Sequence, residues 1–175
     1  MCFSATASFA AGAFLLGIGR LTWKAARSPN ERPFAAIPVL FALQQFIEGV
    51  IWITLARDAS LINAMMTYAF SFFSLLLWPV YVPFAVLVLE PPGWRRQGLR
   101  ILVFAGVIVS ASLLYTMTEY GITTRVTGQH IDYVMPHYFP VATMILYLLS
   151  TSASELMSSY GEVKMFGLLV LLSFG

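Results

Sequence analysis

The chain has 175 residues, 59% of them hydrophobic and only 10% charged, with a mean hydropathy of +0.80. A soluble domain of this size carries about a quarter charged residues, so the composition excludes a water-facing globule and makes the bilayer the solvent. The formal net charge of +2, with no basic patch interleaved with aromatics, excludes nucleic acid as a partner, and a single cysteine, Cys2, excludes an internal disulfide framework.

The apolar runs are long and continuous rather than alternating, which selects helices over a β-barrel. Residues 1–8 are uncharged and lack the basic start of a secretory signal. Ser4 is placed to cap a first helix over about 5–23. Ser8 with Gly12, and Ala13 with Gly17, are small-residue pairs that permit close helix contact in a membrane. Arg20, Lys24, Arg27 and Arg32 flank the first loop, which breaks at Ser28-Pro29-Asn30.

A second helix is predicted over 33–56, with a slight bend at Pro38. A third begins near Ser60 and can reach Leu89, about 45 Å of helix against a hydrocarbon core of about 30 Å. Pro79 and Pro83 predict a kink or a broken end there. Residues 90–96 form a firm break, and a fourth helix is predicted over about 99–117. Residues 119–136 are the longest polar segment. Within them 123–134 alternates around Thr127-Gly128, the pattern of a small hairpin. A fifth helix follows over about 138–157 and a loop over 158–164. Residues 165–175 are apolar but too short to cross, at about 16 Å. The expected fold is therefore all-α: one polytopic transmembrane helix bundle over 1–175, with five full spans and an incomplete sixth. The short last segment predicts a longer native chain or a neighbour that covers this end.

Basic residues orient the bundle. Arg20, Lys24, Arg27, Arg32, Arg95, Arg96, Arg100 and Lys164 fall on one side, and only Arg57 and Arg125 on the other. The odd loops are then cytoplasmic and the N-terminus is outside. Cys2, the 119–137 segment and the outer end of the second helix share the non-cytoplasmic side.

Two stretches carry a resemblance. The opening Met-Cys-Phe-Ser-Ala-Thr-Ala-Ser-Phe and the run from Pro38 to Trp52, with Gln44-Gln45-Phe46-Ile47-Glu48-Gly49, resemble an uncharacterised bacterial family of multi-pass membrane proteins. Leu156-Met-Ser-Ser159 and Phe166-Gly167 are similar to it as well. The resemblance implies a multi-pass protein of the bacterial inner membrane, a further helix past residue 175, and no assigned activity.

Glu48 is the strongest candidate for chemistry. A carboxylate inside a span is costly, so it needs a polar partner and cannot face lipid. Gln44 shares its helix face and Gln45 is adjacent, making the three a candidate ligand-binding set. The functional reading is a buried acid that binds a cation or relays a proton. The structural reading is a hydrogen-bonded register device between helices. Asn63 and Tyr68 are candidate partners from the third helix. Cys2 and His137, on the same side, complete with Glu48 a mixed sulfur, oxygen and nitrogen set suited to Zn or Cu. For Cys2 the plainer reading is a small buried hydrophobe, and for His137 a hydrogen-bonding residue at the interface. His130 and Asp132 read as solvated loop residues. Trp23, Trp52, Trp78 and Trp94 read as interface anchors. The leading expectation is a polar site near the outer leaflet that binds a metal ion or cationic ligand. The alternative is a non-catalytic accessory subunit of a larger membrane complex, or a homo-oligomer. Few charges in the spans and no inverted repeat disfavour a transporter.

Overall fold

The computed structural model describes residues 4–57, 59–135 and 140–172. The described chain is mostly helical. In order it runs α1 (Ala5–Ala25), a 3-10 turn (Pro29–Glu31), α2 (Arg32–Ala35), α3 (Ile37–Ala56), α4 (Ser60–Ser71), a π-helical turn (Phe72–Leu77), α5 (Trp78–Leu89) and α6 (Trp94–Tyr120). Then come β1 (Thr123–Thr127), β2 (His130–Val134), α7 (Pro140–Leu148), a second π-helical turn (Leu149–Ala153), α8 (Ser154–Met157) and α9 (Gly161–Leu172). Four helical stretches are long and apolar enough to cross a membrane: Ala5–Ala25, Pro29–Ala56, Ser60–Leu89 and Trp94–Tyr120. The apolar helix Val141–Met157 is shorter than these.

Local chemistry explains most of the boundaries. Ser4 caps α1 as expected, its hydroxyl accepting from the Ala7 amide at 3.2 Å. Pro38 does not bend a continuous helix. It sits in the first turn of α3, after a break at Ala36, where its missing N–H costs nothing. Pro79 and Pro83 do not break the third span either. Its helix widens into the π turn before Pro79, and Ser110 of α6 donates to the Leu76 carbonyl at 2.8 Å. The predicted hairpin forms, antiparallel, with Thr127 opposite His130 and Gly128 in the turn at φ 62°. The loop predicted over 158–164 is shorter than expected, because α9 already begins at Gly161.

The chain forms two compact units. Unit 1 comprises 1–27, 35–74 and 116–136. Here α1 packs along α3, and α3 packs on α4. Ile51, Phe70 and Ile131 form a buried cluster, with Trp52, Met66 and Tyr133 against it. Unit 2 comprises 28–34, 75–115 and 137–175, with Val86, Leu99 and Val163 at its core. Within unit 2, α5 meets the second π turn and α8, and α8 packs on α9. Two of the expected interface anchors are therefore inside: Trp78 is buried, and Trp52 is packed on the cluster of unit 1. Trp23 and Trp94 are exposed.

Candidate functional site

Glu48 lies on the face of α3 that α1 covers, and it is fully buried. Its partner across the helix boundary is Ser8, whose hydroxyl donates to Glu48 Oε2 at 3.4 Å. The helices can approach because glycines face aromatic rings on both sides. A Cβ on Gly12 would lie 2.7 Å from the Phe46 ring, and one on Gly49 would lie 2.8 Å from the Phe9 ring. Those two rings pack against each other, 6.3 Å apart. Of the two small-residue pairs, only Ser8 with Gly12 is in this interface. Ala13 and Gly17 are exposed and line an open groove with Leu16, Trp23, Val39 and Phe46.

Gln44 is buried one turn before Glu48, and Gln45 is half-buried. Both glutamines and Glu48 are engaged in further interactions. From the hairpin side comes Tyr133, stacked on Phe70 with centroids 4.5 Å apart. Burial first, then the nearby charge of Glu48, pushes the Tyr133 phenol well above its ordinary pKa. Glu48 therefore sits among Ser8, Gln44 and Tyr133, all within unit 1. Such a cluster can hold a cation against one carboxylate, or keep a proton on it. Cys2 and His137 lie outside the described residues. Among the described residues no three His, Cys, Asp or Glu groups gather as a metal cluster.

The expected partner Asn63 is used elsewhere. Its amide donates to Thr54 Oγ1 at 3.1 Å, and its carbonyl accepts from Thr124 Oγ1 at 2.8 Å. Thr67 Oγ1 donates to the Asn63 backbone carbonyl at 2.8 Å. This neutral network ties the hairpin to α3 and α4. On the exposed face of the hairpin, Asp132 pairs with His130 at 3.2 Å and Arg125 at 3.6 Å. A hydrogen bond from Thr127, then those two charges, holds the Asp132 carboxyl below its ordinary pKa despite opposing desolvation. His130 is exposed, and nothing converges on this group as on a site.

Two carboxylates of unit 2 escaped the sequence reading. Glu90, at the end of α5, is buried and receives three donors. These are Ser158 Oγ at 3.2 Å, the Ser159 amide at 2.9 Å and the Ser159 hydroxyl, which also accepts from Arg95 at 2.7 Å. Glu155 of α8 is buried as well, and its Oε2 has no hydrogen-bond partner among the described residues. The signal for both was available as acids at or within apolar runs.

The chain belongs to a family of unknown function (DUF6629), whose family model matches residues 1–174. Comparison with curated proteins and with solved structures finds no match.

Proposed function

We propose that the protein is a polytopic membrane protein whose site around Glu48 binds a metal ion or cationic ligand near the outer leaflet. The observation that carries this reading is the burial of Glu48 in an apolar bundle, beside Ser8, Gln44 and Tyr133. A carboxylate at membrane depth costs several kcal/mol unless a proton, a cation or strong donors answer it. The Ser8 hydroxyl, at 3.4 Å, is a long bond to set against a full charge. In this reading Glu48 is the anchor, Gln44 and Gln45 orient the ligand, and Cys2 and His137 supply the donors that favour Zn or Cu. The topology that goes with it has five spans and a partial sixth, odd loops in the cytoplasm and the N-terminus outside. The test is binding of Zn and Cu to the purified full chain, compared with Cys2→Ser, His137→Ala and Glu48→Gln. Metal bound by the wild type and lost in Glu48→Gln supports the site. Retention in Cys2→Ser or His137→Ala removes that residue from the ligand set. Reporter fusions after Arg27 and Gln97 should read cytoplasmic, and one after Gly128 external.

A second reading, an accessory subunit of a larger membrane complex, is supported by the groove beside α1. Ala13 and Gly17 lie one turn apart on its floor, and a Cβ on Gly17 would meet nothing. A floor of small residues is what a partner helix needs for close approach. Co-purifying subunits lost on Gly17→Leu would favour it.

A further inference from the structure

The stretch Ser150-Thr151-Ser152-Ala153-Ser154-Glu155 is a run of polar residues inside unit 2. Ser150, Thr151, Ser152, Ser154 and Glu155 are all buried, Glu155 at 2% exposure and Ser152 at 1%. Two of their oxygens, Glu155 Oε2 and Ser152 Oγ, are buried with no hydrogen-bond partner among the described residues. No ion pair reaches Glu155 there either. A buried carboxylate oxygen with no donor, on an acid with no counter-charge, is costly, and natural proteins retain few such groups.

The backbone at this place is unusual too. Leu149–Ala153 is a π-helical turn, a rare geometry that concentrates at functional sites and takes carbonyls out of the ordinary helical ladder. The neighbouring hydroxyls spend their protons on the backbone. Ser150 and Thr151 donate to the Tyr147 carbonyl at 2.8 and 2.9 Å, and Ser154 donates to the Thr151 carbonyl at 2.5 Å. Their oxygens keep lone pairs and act only as acceptors. Across from them, α9 places Gly167 against the acid. A Cβ there would lie 2.6 Å from Glu155 Cβ and 3.0 Å from Oε2, so the space for the carboxylate exists only because residue 167 is glycine.

We propose that Glu155, with Ser152 and the adjacent hydroxyl oxygens, is a binding site for sodium, separate from the Glu48 site. The chemistry selects the ion. Every donor is a hard oxygen, which disfavours Zn and Cu. One carboxylate balances one positive charge, whereas calcium sites gather several carboxylates among six to eight ligands. Oxygen ligands at an interrupted stretch of helix are a recurring sodium environment in membranes.

The test uses the full chain in detergent or nanodiscs. Its melting temperature is measured in sodium chloride and in choline chloride at equal ionic strength, and radioactive sodium binding is measured directly. Wild type should show a saturable rise of about 5–10 °C at a hundred-fold excess over Kd. Glu155→Gln, which keeps shape but removes the charge, should fold and lose the rise and the bound sodium. Gly167→Ala should weaken both. Glu48→Gln should leave both intact, so failure of the Glu48 site and failure of this one are distinguishable. Identical melting in sodium and choline for wild type, or sodium binding that survives Glu155→Gln, overturns the proposal. The first result would mean that a proton alone keeps Glu155 neutral.

Discussion

Glu90 in unit 2 and Glu48 in unit 1 are both acids buried near or within apolar helices, and their surroundings are opposite. Glu90 ends α5, and the 158–159 turn offers it an amide and two hydroxyls, with Arg95 closing the chain through Ser159. Each oxygen meets a donor, and the result is a latch between the starts of two loops. Glu48 sits mid-helix, accepts a long bond from the Ser8 hydroxyl and lies close enough to Tyr133 for its charge to be felt. The difference teaches that burial alone does not identify a functional acid. What matters is whether the fold supplies donors that match the charge.

The largest expected effect breaks the latch. Glu90→Ala removes three hydrogen bonds and leaves the buried Ser158 hydroxyl without its acceptor, so it should cost about 3 kcal/mol. Thermal unfolding in detergent checks this, and a change in melting temperature of under a degree would mean that the latch is ornamental. Next comes the neutral network of unit 1, which satisfies its own polar groups without any charge. Asn63→Ala strands Thr124 and Thr54 and should cost about 1–2 kcal/mol while leaving ligand binding at Glu48 in place. Loss of metal binding in that variant would show that the hairpin network belongs to the site.

Glu48→Leu should cost about 1–2 kcal/mol, the scale of an interhelical hydrogen bond in a membrane, and should abolish binding. Glu48→Gln sharpens the contrast with Glu90 most cleanly. Its amide can still accept from Ser8, so unfolding should hardly change while the ligand is lost. The smallest effect is at the hairpin surface. Asp132 is held below its ordinary pKa, so its pairing with His130 and Arg125 contributes above that ordinary value and is lost as pH falls through the lower folded one. Amide exchange in 123–134 should quicken only at that acidic end in wild type, and Asp132→Asn should flatten the profile.

Much of the architecture was legible because it follows from composition and period. The four long apolar helices, the Ser4 cap and the hairpin at Thr127-Gly128 are all written in local sequence. Glu48 was legible as costly, and its shared face with Gln44 holds. Its partner was not. The Ser8–Gly12 spacing announced a close helix contact, but only the crossing of α1 and α3 decides that Ser8 rather than Asn63 meets the acid. The Glu90 latch joins residues 68 and 69 apart, a pairing that no local period encodes. Trp78 reads as an interface anchor with the other tryptophans, which lie mostly near predicted helix ends, yet tertiary packing buries it. The π turn at Phe72–Leu77 depends on packing as well: Pro79 tells that the ladder must fail, not how it is repaired.

The central claim is that Glu48 is an acid kept for a ligand and not for the fold. Metal content of the purified full chain, with its melting temperature, tests it most directly when wild type and Glu48→Gln are compared under identical loading. The account predicts near-stoichiometric metal in wild type, little in Glu48→Gln, and closely similar melting of the two metal-free proteins. No bound metal in wild type after loading with Zn or Cu, or equal metal in both proteins, would contradict it and leave Glu48 as a hydrogen-bonded register device between α1 and α3.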